Sequence, residues 1–455
     1  MGGGKTLLDL DTSPLLEMIA NKQWSKLREE LSSWQVADIG EFLFELDKAD
    51  QVIVFRLLPR NISSEVFTFL MKEQRNALLA ALSDEETRSL LHNLEPDDRT
   101  NLFEELPGRV TQKLMNLLSP EELEKTRELM GYPEESIGRI MTPNYVAVRP
   151  NWSIRQGLEQ IRTKGKEDSE TLNVIYVTDS NWKLLDALEL QRFIFNPPET
   201  IIEEIMDHTF VSLSAFEDRE QAVHTMGRYD MSALPVVDSE GVLLGVVTFD
   251  DVMDVAEEEA TEDFHKGAAV TPLKNSYYET GVKELYRKRI GWLLALVFVN
   301  LVSLELLAAY QEILASTIAL TFFIPLLIGS GGNAGAQSAT LMVRALGTGD
   351  IEPNQWLMTL LKELSVGAGL GLTMGLAAAT LGIIRGGMEI AIIVCISMIT
   401  IIMVANIIGV MMPFILTKMN LDPAVASNPL ITSITDATGL SIYLAISTWI
   451  LHLLR

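Results

Sequence analysis

The chain has 455 residues, a formal net charge of −25 and a single cysteine, Cys395. One cysteine rules out an intramolecular disulfide or a thiolate metal cluster, and with 5 histidines any metal chemistry turns toward hard, oxygen-liganded cations. Residues 1–280 carry 52 Asp and Glu against 27 Lys and Arg, whereas residues 281–455 carry 9 of each. The acidic part therefore repels nucleic acid and anionic lipid, and multivalent cations are its natural counterions.

The opening MGGGKT matches a myristoylation signal through Gly2 and Thr6 and a phosphate-loop fragment through Gly4-Lys5-Thr6. No strand precedes it, so the phosphate-loop reading fails and the segment reads as a flexible start. The first domain is expected over residues 1–130. Leucine recurs there at a twelve-residue step, at Leu46, Leu58, Leu70, Leu82, Leu94, Leu106 and Leu118, and several are followed by helix-start signals such as Ser83-Asp84-Glu85-Glu86 and Ser119-Pro120-Glu121-Glu122. A unit that short cannot bury its own apolar face, so the repeat predicts short helices stacked into a superhelix.

From about Ser136 helix and strand alternate, twice over. Gly138–Arg162 parallels Glu203–Gly227, and each is followed by a β-rich piece, Asn173–Asp179 and Ala233–Val252. The pair resembles tandem CBS modules, expected at 131–198 and 199–252, and that resemblance implies an α/β disc and an adenine-nucleotide site. Thr248-Phe249-Asp250 has the T-x-D form that holds a ribose hydroxyl, which makes Thr248 and Asp250 the nucleotide candidates and ATP the candidate ligand. The first copy has Leu184–Leu190 in place of the usual Gly-Val-Val strand and carries no T-x-D.

An acidic connecting helix is expected next, over 253–281, its charge run starting at Asp250. Asp251, Asp254, Glu258 and Glu262 fall at three- or four-residue steps on one face, where each like-charge pair costs an isolated helix about 0.2–0.5 kcal/mol. A divalent cation bridging these carboxylates to a facing acidic domain turns that repulsion into attachment.

Residues 282–455 read as a membrane domain of five spans, near 289–310, 315–343, 357–384, 390–416 and 425–453. With the N-terminus inside, Arg287, Lys288, Arg289, Arg344, Lys362 and Lys418 fall on the cytoplasmic side and Arg385 and Arg455 outside, as the positive-inside rule requires. Gly367, Gly371 and Gly375 mark a close-packing face on the third span. Asp436 is the titratable residue expected at the midplane: a helix entering the bilayer near Val425 carries it about 16 Å in. An ionisable group there costs about 2.5–3.5 kcal/mol, so it is expected to face a cation path.

Two membrane stretches, Pro325–Leu346 with its Gly-Gly-Asn-x-Gly-x-Gln core and Leu421–Gly439, resemble the signature helices of the MgtE family of magnesium channels. The order of parts agrees over nearly the whole chain. The resemblance implies an α-helical membrane protein of five transmembrane helices with a cytosolic all-α superhelical N-domain and a tandem α/β CBS pair. It also implies a homodimer in the bacterial inner membrane with one pore on its two-fold axis. On it, Asp436, Asn333 and Thr432 form the pore ion site. Asp251, Asp254, Glu258, Glu259, Glu262 and Asp263, with Asp97 and Asp98 facing them, bind regulatory Mg²⁺. One Asp per chain, doubled by symmetry, suits an ion that keeps most of its water, and Gly329, Gly331, Gly332 and Gly335 let the second span approach closely. The rival readings are a secondary transporter of Mg²⁺, Mn²⁺ or Co²⁺, which calls for a second midplane titratable group, and a nucleotide-sensing membrane scaffold. The chain shows no enzyme active site.

Overall fold

The computed structural model describes residues 12–165, 169, 171–273, 277, 280–419 and 421–454, so the opening MGGGKT lies outside the described residues. The chain forms two compact units, Met1–Ala256 and Glu257–Arg455.

In the first unit, helices begin at Val36, Lys48, Arg60, Lys72, Asp84, Pro96, Gly108 and Pro120, one per twelve residues. The repeated leucine ends them. Leu46, Leu58, Leu82, Leu94 and Leu106 are the first residues past their helices, with ψ between 141 and 152°. That extended step turns the chain into the next helix while Leu58, Leu70, Leu94 and Leu106 stay buried in a shared core. Caps set the starts: Asp47 accepts from the N–H groups of Ala49 and Asp50, and Ser83/Glu86 and Ser119/Glu122 form capping boxes. Ion pairs such as Arg56–Glu86 and Arg75–Glu105 tie each helix to one further along the repeat.

Two three-stranded sheets follow. β1 (Ala147–Val148) pairs parallel with β2 (Val174–Thr178), which pairs antiparallel with β3 (Leu184–Glu189). β4 (Leu213–Ser214), β5 (Ala233–Val237) and β6 (Leu243–Thr248) repeat that pattern. The modules share a core of Val174, Tyr176, Leu184, Leu243 and Val246. Thr142 and Val246 exchange backbone hydrogen bonds of 2.8 and 2.9 Å across them. Equivalent registers, Val177↔Asp186 and Val236↔Gly245, put Asp186 where the second module has glycine. That carboxylate is fully buried yet satisfied, accepting from the N–H groups of Ala187, Asp207 and His208 at 2.8–3.0 Å. By the same equivalence Glu189, which pairs with Val174, is the counterpart of Thr248, which pairs with Ala233, so the first copy has glutamate where the second has the T-x-D threonine.

The acidic helix runs Phe249–Gly267. It is shorter than the 253–281 expected and starts earlier, directly from β6. A left-handed Ala269 (φ 57°) closes it, and Val270 N–H donates back to His265.

The second unit holds helices long and apolar enough to cross a membrane at Val282–Ala309, Ala319–Gly347, Pro353–Lys418 and Asn428–Leu453. The third is two arms, because Gly387 (φ 80°, ψ −172°) breaks the helix Trp356–Lys418. Each arm, 356–386 and 388–418, is about 45 Å long, enough for one crossing. The arms pack as a hairpin on glycine. A methyl group on Gly371 would sit 3.0 Å from Ile399 Cα, on Gly375 3.0 Å from Cys395 O, and on Gly382 2.7 Å from Ala391 Cα. The last span starts at Asn428, not near 425, since Pro423–Val425 form a separate 3₁₀ turn capped by Asp422.

Candidate functional site

The later start of the last span places Asp436 about 12 Å into its helix, still well inside a hydrocarbon core roughly 30 Å thick. Its carboxylate is half-buried, and its buried Oδ1 has no hydrogen-bond partner among the described residues. The second span packs directly on it through Gly332, where a methyl group would lie 2.9 Å from Thr432 Cγ2 and 3.3 Å from Asp436 Oδ1. One turn on, a methyl group at Gly335 would meet Thr435 Cγ2 at 3.0 Å and Ala405 O at 3.2 Å. Gly332 and Gly335 are therefore packing positions as expected, as is Gly331, where a methyl group would meet Ile401 Cγ2, whereas Gly329 has open space around it. Thr432 shares the Gly332 contact with Asp436. Asn333, beside Gly332, is exposed on the single chain, in line with Gln337 and Thr340 at helical spacing. Thr340 Oγ1 donates to Asn428 Oδ1 at 3.0 Å, joining this stripe to the start of the last span. A polar stripe at membrane depth requires water or another polar surface.

Sequence reasoning missed a second intramembrane carboxylate. Glu363 lies seven residues into the third span, about 10 Å along the helix. Its Oε2 accepts from Ser338 Oγ of the second span at 3.0 Å and from Asn406 Nδ2 of the fourth at 3.2 Å. Ser338 and Asn406 are buried. Near the end of a span an acid usually meets water, so nothing in the sequence marks Glu363 as inward-facing.

The acidic soluble residues divide into two places. Asp97, Asp98, Asp250, Asp251 and Asp254 line one cavity of about 740 Å³, together with Glu65 and Glu95, and Arg75 is the cation on its wall. Burial, and after it the charges of Glu95 and Asp250, push the Asp98 carboxyl up to about 6, with Arg75 working the other way. Among the described residues no group of three His, Cys, Asp or Glu side chains is positioned to hold a metal ion directly. Thr248 is buried and its hydroxyl donates to Asp251 Oδ2 at 2.6 Å, so it holds the start of the acidic helix. Asp250, the other T-x-D residue, is exposed to the cavity.

Glu258, Glu259, Glu262 and Asp263 lie further along the helix and do not line this cavity. Glu262 pairs with Lys266 at 2.5 Å, and the same ammonium reaches Asp422 Oδ2 at 2.6 Å. Asp422 was not among the expected site residues. Its place in a Leu-Asp-Pro turn reads as a cap, and it is one, accepting from Ala424 N–H at 2.7 Å.

Apolar crossings that enclose an intramembrane carboxylate, attached to a helical repeat and a tandem α/β pair, define a multi-pass cation-transport protein with a cytosolic part. Residues 324–446 match the family model described as MgtE, divalent cation transporter. Residues 34–135 match the MgtE intracellular N domain, and residues 202–258 the CBS domain. The chain is 36% identical to a protein of Thermus thermophilus named magnesium transporter MgtE, over 96% of this chain and 98% of that one. It is 28% identical to one of the same name from Bacillus subtilis, over 93% and 96%. The chain belongs to the MgtE family. It is a multi-pass inner-membrane protein, and a transporter rather than an enzyme. Its cytosolic part is similar to the solved cytosolic domain of the Mg²⁺ channel MgtE in complex with ATP, with TM-score 0.51 and 33% identity, covering 53% of this chain and 98% of that one. The soluble part of a magnesium transporter matches with TM-score 0.51 and 28% identity, covering 55% of this chain and 97% of that one.

Proposed function

We propose that the chain is a magnesium-selective channel for uptake, that it works as a homodimer, and that cytosolic Mg²⁺ on its acidic domains closes it. The observation that carries this reading is Asp436: an intramembrane carboxylate whose buried oxygen lacks a partner among the described residues while a glycine of the second span holds a helix against it. The exposed stripe of Asn333, Gln337 and Thr340 supports a water-filled path between two copies, which would set two Asp436 carboxylates around one hydrated ion. Relatives named magnesium transporters support Mg²⁺ as the substrate.

The cavity of Asp97, Asp98, Asp250, Asp251 and Asp254 supports the regulatory half of the proposal. Carboxylates that repel one another are drawn together by a divalent ion and separate without it. Moving a gate from 1:99 to 99:1 takes roughly 5.5 kcal/mol, so we assign the switch to several weak sites, Glu258, Glu259, Glu262 and Asp263 among them. We also propose an adenine nucleotide at the second module, its ribose held by Asp250; a related cytosolic domain was solved with ATP. Nucleotide and cation would then share that carboxylate.

A carrier coupled to a proton gradient is the second reading, and Glu363 favours it as a further intramembrane carboxylate. Flux into liposomes decides between them. The channel reading expects Mg²⁺ flux without a proton gradient, lost in Asp436→Asn while dimers persist, and suppressed by Mg²⁺ on the cytosolic face. Flux that stops when the proton gradient is collapsed would overturn it.

A further inference from the structure

At the cytoplasmic end of the first span the charge reverses. A cavity of about 680 Å³ is lined there by Thr271, Gly281, Lys283, Glu284, Arg287 and Lys288, three cations to one carboxylate. That volume is in the range that holds small ligands, roughly 300–1,000 Å³. Its wall is built by the chain folding back: Thr271 N–H donates to Lys288 O at 3.1 Å, and Lys288 Nζ donates to Pro272 O at 2.7 Å. Lys288 is thus partly committed to the wall. Lys283 and Arg287, one turn apart and both exposed, have no ion-pair partner among the described residues. The apolar run of the first span begins immediately after Arg289, with Trp292 two and a half turns beyond Lys283 and Tyr286 63% exposed, aromatic side chains of the kind that sit at the lipid headgroup level.

We propose that this cavity binds the phosphate of an anionic glycerophospholipid from the cytoplasmic leaflet, with Arg287 and Lys283 as its ligands. A guanidinium presents paired N–H donors that match phosphate oxygens, and a neighbouring ammonium adds a point charge. The positive-inside rule accounts for basic residues at this level, but not for a walled cavity pinned to one of them. A membrane lipid is favoured over a soluble phosphate because the cavity sits where the apolar helix begins, so an acyl chain can continue along it. The wall at Thr271 and Pro272 continues from the acidic helix, so a bound lipid would brace the joint between that helix and the first span.

The test is native mass spectrometry of the full-length, delipidated protein titrated with phosphatidylglycerol and, separately, phosphatidylcholine. Wild type should retain phosphatidylglycerol selectively, about one per chain, and Lys283→Gln/Arg287→Gln should weaken retention by about tenfold or more. The exchange Lys283→Arg/Arg287→Lys, which keeps both charges, should retain it, separating lost binding from lost folding. Arg289→Gln, beside the cavity but not lining it, should behave as wild type. Equal loss in Arg289→Gln would reduce the effect to surface charge and overturn the site. Undiminished retention in Lys283→Gln/Arg287→Gln would overturn it as well. Displacement of the lipid by inorganic phosphate would overturn the lipid assignment in favour of a free-phosphate site.

Discussion

The Lys266 ammonium stands between Glu262 and Asp422, 2.5 Å from one carboxylate and 2.6 Å from the other, and so ties the acidic helix to the turn that opens the last membrane span. Partial burial works against its charge, but the hydrogen bonds and charges of Asp422 and Glu262 outweigh that and hold it above the ordinary lysine range. The bridge therefore persists at every physiological pH.

Lys266 neutralises two facing carboxylates, which on the proposed Mg²⁺-gated reading a divalent ion would bridge in its absence. Lys266→Gln should leave that pair unneutralised and raise its demand for Mg²⁺. Half-maximal closure should then move to lower cytosolic Mg²⁺ by roughly threefold to tenfold, a shift of about 0.7–1.4 kcal/mol. Flux measured against cytosolic-side Mg²⁺ reads this directly, and closure at unchanged or higher Mg²⁺ would show that the lysine does not compete there.

Glu363 holds two buried neutral donors with one oxygen. Glu363→Ala leaves Ser338 and Asn406 unpaired and should destabilise the membrane domain by about 1–3 kcal/mol for each orphaned group. Glu363→Gln keeps an acceptor and should stay close to wild type in thermal stability. If Gln proves as harmful to flux as Ala while the protein stays stable, the charge itself serves transport and the carrier reading gains.

Asp98 makes the soluble unit pH-sensitive in a defined direction. Its folded value, about 6, lies above the ordinary 3.8, so it contributes no penalty when protonated in both states. The penalty grows as pH rises between those values and is complete above about 6, opposite in sign to a salt-bridged carboxylate. Asp98→Asn should therefore raise the Tm near pH 7.5, on the order of 5 °C, and change little near pH 4. Mg²⁺ should stabilise the wild type more at the higher pH. A Tm gain for Asp98→Asn that is the same at both pH values would place its origin elsewhere.

Gly332 tests the packing of the proposed ion path. A Cβ there meets Thr432 Cγ2 at 2.9 Å, closer than side chains tolerate, so Gly332→Ala must displace Thr432 or the second span and disturb the packing beside Asp436. Flux should fall by at least about tenfold, which is 1.4 kcal/mol on the barrier. Gly329→Ala, which meets open space, should leave it near wild type.

Much of the architecture was legible along the chain because it rests on local periodicity. The twelve-residue leucine step reports helix ends, which caps and ψ angles set within a few residues. The doubled helix–strand pattern reports two modules, and apolar length reports crossings. Asp436 was legible for the same reason: an acid deep in an apolar run stands out whatever surrounds it. Glu363, Asp422 and Lys266 were not, since an acid near the end of a span, a turn aspartate and a helix-end lysine are ordinary in sequence. Their partners, Ser338 and Asn406 for Glu363 and Asp422 for Lys266, lie 25 to 156 residues away. The acidic residues likewise form one run on paper. Folding sends Asp250, Asp251 and Asp254 into a cavity with Asp97 and Asp98, and leaves Glu262 to a lysine. Hydrophobic period and capping act over a few residues and can be read there, whereas the environment of a charge depends on which distant groups packing brings within a few ångströms of it.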